Sequence, residues 1–261
     1  HNKKRKQKFT VYWGITLAVL VFYVIGMFSF LYISHLEIKS IYREIESRRI
    51  DNQFIILEID RVAKEKKNRI FWVDLATDSS LTKFVNSLVP FDNKRYIPED
   101  LVSLKSSFID DAKWNQYLRR EAKTALDAMG KEFKTKFNKN IKVVSAYRSY
   151  NYQLWIKQRW CPDNLCAKAG YSEHQSGLAI DLWEATTNNA FMRKANLRLY
   201  YNWLSANAHE YGFTNTYQKW LFVDGYEIEP WHWRYVWEDL ATYLKENSIT
   251  IAEFYNESKN G

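Results

Sequence analysis

Cysteine is scarce. The 261 residues hold two, Cys161 and Cys166. A structural zinc site wants four ligands, and no second thiol pair exists to complete one. In an exported domain, two cysteines this close most simply close a small disulfide loop, with free thiols as the other state open to them. Charge is missing altogether from Phe9 to Ser34, a run long enough to cross a bilayer, for which about 20 apolar residues at ~1.5 Å rise suffice. A small-x-small cleavage site is missing as well: Ser29-Phe30-Leu31-Tyr32-Ile33 offers none. That disfavours a cleaved signal peptide and favours an uncleaved anchor.

What is present in that region fits the same reading. The stretch 1–8, with Lys3, Lys4, Arg5, Lys6 and Lys8, is a basic tail expected to stay cytoplasmic, which puts residues 71–261 outside the cytoplasmic membrane after a single span, 9–34. Tyr12, Trp13, Tyr23 and Tyr32 are amphipathic aromatics suited to the headgroup belts. Much of the net charge of +8 sits at this anchor, so nucleic-acid binding is disfavoured. Residues 35–70 are highly charged, with Ile38, Ile41 and Ile45, then Ile56, Ile59 and Val62, at helical spacings. The apolar phase shifts near Ile50, which argues against one unbroken coiled-coil seam. A helical stalk is the expectation, and self-association through 36–68 the alternative.

From Phe71 the texture becomes that of a mixed domain, 71–261. A helical pattern covers Trp114 to Phe137, with Gly130 inside it. Ile141 to Tyr147 reads as a strand that delivers Arg148. Asn151 to Trp160 and Asn188 to Tyr211 read as helices. Gly177 to Leu182 reads as a buried strand, and Gly225 to Val236 as a strand interrupted at Pro230. Aromatics make up 17% of the chain, with 11 Trp; they suit a large aromatic core, and equally a groove that grips peptide or carbohydrate.

Chemistry gathers in two stretches: Ser172-Glu173-His174-Gln175-Ser176-Gly177-Leu178-Ala179-Ile180-Asp181, and Glu229-Pro230-Trp231-His232. Two imidazoles and a carboxylate, His174, His232 and Asp181, can bind Zn2+ and leave the fourth position that a catalytic zinc needs. Glu229 would be the general base. In an unbroken strand Glu229 and His232 would face opposite sides, so the chain must bend at Pro230. Each residue also has a bland alternative: the histidines as hydrogen-bonded structural residues, Asp181 as a turn residue, Arg148 as a surface charge. His35 and His209 take that bland reading.

The motifs Ser172-x-His174 through Gly177-x-Ala179-x-Asp181, then Glu229-Pro230-Trp231-His232-x-Arg234-Tyr235-Val236, resemble those of the VanY-like D-alanyl-D-alanine carboxypeptidases, zinc metallopeptidases related to VanX dipeptidases and L-alanyl-D-glutamate endopeptidases. The resemblance extends to Tyr96-x-Pro98-x-Asp100-Leu101-Val102 and to Ser145-Ala146-Tyr147-Arg148-Ser149-x-x-x-Gln153, and covers about residues 85–245. It implies an α+β fold, with a small, mostly antiparallel sheet carrying the zinc site and helices around it. It also implies His174, Asp181 and His232 as zinc ligands, Glu229 as base, Arg148 as the oxyanion partner, and Ser172, Gln153 and Tyr147 as substrate-binding positions.

The implied activity is zinc-dependent removal of the C-terminal D-Ala from peptidoglycan stem peptides. L,D-carboxypeptidase or endopeptidase cleavage within the same group is the alternative, and a non-catalytic wall-binding module the alternative of another class. The chain departs from the pattern at Ala146, where glycine is common, and in lacking an Arg-Tyr-Pro element after Tyr211-Gly212-Phe213.

Overall fold

Five short strands form the sheet on which everything else is hung. The computed structural model describes residues 72–260, apart from 114, 160, 185 and 186, together with 61 and 70. The tail 1–8, the apolar run 9–34 and nearly all of the stalk 35–70, including His35, lie outside the described residues. The chain divides into two units, His1–Trp72 and Val73–Gly261, and every element named below lies in the second. Among the described residues no helix is long and apolar enough to cross a membrane.

The strands are β1 (Leu101–Ser103), β2 (Ile109–Asp111), β3 (Tyr117–Arg119), β4 (Ile141–Ser145), β5 (Ala179–Leu182), β6 (Phe213–Asn215) and β7 (His232–Tyr235). The main sheet runs β2-β4-β5-β7-β6, while β1 and β3 pair separately. Only β2 and β4 are parallel in the main sheet; its other three pairings are antiparallel. The helices are α1 (Arg120–Phe137), α2 (Tyr150–Lys157), α3 (Asn188–Arg193), α4 (Ala195–Asn207), α5 (Leu221–Asp224), α6 (Glu238–Asn247) and α7 (Ile251–Asn260). This is the mixed α+β architecture expected from the motifs.

Helix α1 forms because Ala122, Ala125, Leu126, Met129 and Phe133 recur at helical spacing and bury one face. It stops at Asn138, whose left-handed backbone (φ 52°) lets its N–H reach the Lys134 carbonyl. Gly130 is not a weak point in it. An added Cβ there would lie 3.0 Å from Ile109 Cδ1 and 3.2 Å from the Phe108 carbonyl, so glycine is what lets the helix lie against the β2 edge. The Phe133 ring then packs edge-on to Tyr200 and Trp203 and tilted against Phe137 and Trp183, which puts many of the aromatics in the core.

Several element boundaries differ from the expectation. Tyr117–Arg119 is strand, not the first turn of α1: Leu118 is buried opposite Val102 in β1, and three residues are too few for apolar spacing to tell the two periods apart. The stretch 188–211 is α3, α4 and a 3-10 turn (Ala208–Tyr211), because Lys194 adopts an extended ψ of 110° between the two helices. Of Gly225 to Val236, only His232–Tyr235 is strand. Cys161 and Cys166 do form a disulfide. The Lys157 ammonium fills its loop, donating to the carbonyls of Cys161 and Cys166.

Candidate metal centre and active site

Asp181 and His232 face each other directly across the β5–β7 pair. His174 reaches the same point from a 3-10 turn (Glu173–Ser176) that leads into β5. Gly177 ends that turn at φ 68°, where a side chain would be strained and its Cβ would lie 2.8 Å from Leu101. His174 Nε2 is 3.1 Å from Asp181 Oδ2, and His232 Nδ1 is 3.0 Å from Asp181 Oδ1. One ligand atom from each of the three residues lies within 4.8 Å of the others, and all three side chains are buried.

Two outer hydrogen bonds decide which ring nitrogens face inward. His174 Nδ1 lies 2.7 Å from the Ala146 carbonyl. A carbonyl only accepts, so Nδ1 carries the proton and the Nε2 lone pair is free. Because the acceptor is backbone, alanine serves there as well as glycine. His232 Nε2 lies 2.8 Å from Glu173 Oε2, which leaves Nδ1 for the centre. Two imidazoles with their outward nitrogens tied and their inward nitrogens turned towards a carboxylate are a donor set compatible with zinc. These residues fit the metal that the motifs imply.

Glu173 had no role in the sequence reading. It is fully buried, with Arg234 Nη1 2.7 Å from Oε1, and Arg234, itself fully buried, also donates to the Lys83 carbonyl. Burial opposes its ionisation, but Arg234 and His232 outweigh that and bring the carboxyl down to about 2. Its sequence signals were adjacency to His174, and an arginine two residues beyond His232 on the same face of β7.

The electrostatics favour positive charge at the centre. Burial, with Arg148 nearby, lowers His174 to about 4, so its ring is neutral. Burial also works against charging His232, but its bonds to Asp181 and Glu173 raise it to about 10. Burial penalises the Asp181 carboxylate too, yet the Arg148 guanidinium and the protonated His232 bonded to it hold it well below the usual range. A proton on His232 therefore takes up part of a demand for cationic charge that a divalent ion would meet.

The bend required at Pro230 is a turn in which the His232 N–H donates to the Glu229 carbonyl at 3.1 Å, with Pro230 in the second position that proline favours. Asn215 Nδ2 clamps the turn from β6, donating to the carbonyls of Glu229 (2.8 Å) and His232 (2.6 Å). Burial pushes the Glu229 carboxyl up to about 7, the nearby His232 and Arg148 pulling against it. Tyr217 stacks on the His232 ring at 4.5 Å. Asn215 and Tyr217 belong to the segment that had stood out only for lacking Arg-Tyr-Pro.

Arg148 follows β4, with its Nε donating to Ser145 Oγ at 2.8 Å and its Nη2 paired with Asp181 Oδ2 at 2.5 Å. Ser172 is buried immediately ahead of the His174 turn. Tyr147 is half-buried, and burial raises its phenol. Gln153 is buried in α2: its Nε2 donates to the Ala167 carbonyl at 2.7 Å, and its buried Oε1 finds no partner among the described residues.

A family profile, VanY, described as D-alanyl-D-alanine carboxypeptidase, matches residues 115–238. Among solved structures, that of the LD-carboxypeptidase LdcB is 31% identical with a TM-score of 0.57, over 69% of this chain and 87% of LdcB. The chain belongs to the VanY-like D-alanyl-D-alanine carboxypeptidase family. YodJ of Bacillus subtilis, which bears a carboxypeptidase name, is 34% identical over 177 residues, 63% of each chain. A vancomycin-resistance D,D-pentapeptidase VanY, solved with Zn(II), shares the fold at 23% identity and a TM-score of 0.50, over 68% of this chain and 99% of that one. The chain spans less than two thirds of the length of the curated relatives it matches. In this VanY-like fold the Cys161–Cys166 loop is joined to the segment ahead of Glu229: the Glu227 N–H donates to the Asn164 carbonyl at 2.9 Å.

Proposed function

We propose that this VanY-like protein is a zinc-dependent carboxypeptidase that removes the C-terminal D-alanine from peptidoglycan stem peptides, cutting the D-Ala–D-Ala bond of the pentapeptide. The observation that carries the reading is the convergence of His174 Nε2, Asp181 and His232 Nδ1, with both outer nitrogens tied. Zinc held there would act as a Lewis acid and lower the pKa of water to about 7. Glu229, as carboxylate, takes the proton of the attacking water and passes it to the departing amine; its raised pKa suits both steps. Arg148 supplies fixed positive charge for the carbonyl oxygen as it becomes anionic. The apolar run 9–34 would anchor the enzyme by one span, with 71–261 outside and 35–70 as stalk.

A synthetic pentapeptide stem incubated with the zinc-loaded protein and read by mass spectrometry tests this. Loss of one alanine, abolished by a chelator, is the expected result. Glu229→Gln is expected to retain zinc and lose turnover by about 10²- to 10⁴-fold; undiminished turnover in that variant would sink the mechanism. A second reading, L,D-cleavage of the tetrapeptide, is favoured by the 31% identity to the LD-carboxypeptidase LdcB. Cleavage of the tetrapeptide with the pentapeptide left intact would establish it.

A further inference from the structure

The residues just ahead of Glu229 have no secondary structure of their own to hold them. Glu227 to Glu229 lies between α5 and β7, in neither helix nor strand, so its place depends on bonds to other segments. The Glu229 N–H donates to the Tyr217 carbonyl at 3.0 Å. Two residues earlier, Glu227 makes two bonds to a single residue, Asn164. Its N–H donates to the Asn164 carbonyl at 2.9 Å, and its Oε1 accepts from Asn164 Nδ2 at 3.1 Å. A paired contact of this kind sets orientation as well as distance.

Asn164 is itself held on several sides. It stands inside the Cys161–Cys166 disulfide loop, where the N–H groups of Leu165 and Cys166 both donate to the Pro162 carbonyl, at 3.1 and 2.9 Å. The Lys157 ammonium, which fills the loop from the end of α2, also pairs with Asp163 at 2.5 Å. The bond from Gln153 to the Ala167 carbonyl ties the loop's exit to the same helix. At its other end α2 is capped by Ser149, whose Oγ accepts from the Tyr152 N–H at 3.2 Å, and Arg148 is the residue next before. One frame therefore runs from Arg148 along α2, through the Lys157 ammonium and the disulfide loop, to the segment that carries Glu229.

We propose that Asn164 is a positioning residue for the catalytic base: fixed by the disulfide loop, it sets Glu227, and through it Glu229, relative to Arg148. The proposal rests on the reading of Glu229 as base and adds to it a residue that acts on that base alone. Both Asn164 bonds end on Glu227, not on His174, Asp181 or His232. Losing them is expected to lower kcat and to leave KM and zinc affinity in place. Misplacing a reacting group by about 1 Å costs up to ~10²-fold; Glu229 keeps its bonds to Tyr217 and Asn215, so the expected loss is about tenfold.

The test reverses the pair. Asn164→Asp sets a carboxylate against the Glu227 carboxylate, while Asn164→Asp with Glu227→Gln lets the new amide donate to the new carboxylate. In the full zinc-loaded chain acting on the pentapeptide stem, kcat is expected to fall about tenfold in the first variant and to recover in the second. Cys161→Ser with Cys166→Ser is expected to lose kcat as Asn164→Asp does. Zinc affinity, by competition with a chelator, is expected to be that of the wild type in all three. Hydrogen exchange at the Glu229 N–H gives a readout free of turnover: faster in Asn164→Asp and in the cysteine variant, slow again in the reversed pair. That pattern upholds the positioning role even if no peptide is cleaved and the carboxypeptidase reading falls. Unchanged kcat and exchange in Asn164→Asp, losses that Glu227→Gln does not restore, or zinc affinity that falls in step with kcat would each overturn the role and leave the carboxypeptidase reading standing.

Discussion

A zinc ligand is only as good as the group that holds its other nitrogen. As a candidate ligand His232 depends for this on Glu173, and Glu173 on Arg234, so a chain of three buried groups ends at the candidate metal centre. Glu173→Gln retains a carbonyl acceptor but removes the charge. Zinc affinity, measured by competition with a chromophoric chelator, is expected to weaken about 10- to 100-fold. Because Gln leaves Arg234 buried without its counter-charge, the comparison includes Glu173→Gln with Arg234→Gln, in which both charges are gone. Restored affinity in that pair would show that Glu173 serves Arg234 and not His232. His174, Asp181, His232 and Glu229 were legible as residue types at a telling spacing. Glu173 was signalled only by its place beside His174 and by Arg234 two residues beyond His232, because a single sequence marks a fully buried glutamate no differently from a solvated one.

Among elements, periodicity found the long pieces and missed the junctions. Helix α1 carries four turns of apolar spacing and could be read, whereas β3, three residues long, takes its identity from β1, which lies elsewhere in the chain. The reading of 225–236 as strand failed for a related reason: the Glu229–His232 turn is held by Asn215 from β6, a contact no local pattern reports. Gly130 shows the same dependence on tertiary context. Helix propensity alone predicts that Gly130→Ala stabilises by about 1 kcal/mol. The carbonyl of Phe108, 3.2 Å from the new methyl, is backbone and yields little. The expected outcome is destabilisation of roughly 1–3 kcal/mol in urea titration, as for other overpacked sites; a stabilised variant would show that β2 can move away.

At the scale of the whole molecule, the fold class followed from the family motifs, but the strand order β2-β4-β5-β7-β6 did not, since it is set by which faces bury together. The same global burial sets a pH dependence. His209, in the 3-10 turn after α4, has its Nδ1 buried without a partner among the described residues. Burial, with a smaller contribution from Lys245, lowers its pKa from 6.5 to about 4. A group whose folded pKa is depressed contributes stability that is fully present above its unfolded pKa. Between pH 6.5 and about 4 the unfolded chain takes up a proton here that the folded chain refuses, so the free energy of unfolding falls as pH falls, and levels off below. Urea midpoints measured across this window should drop for the wild type and drop less for His209→Gln. Equal drops in the two proteins would mean that His209 charges in the folded state as readily as in the unfolded one, and that its turn opens to water.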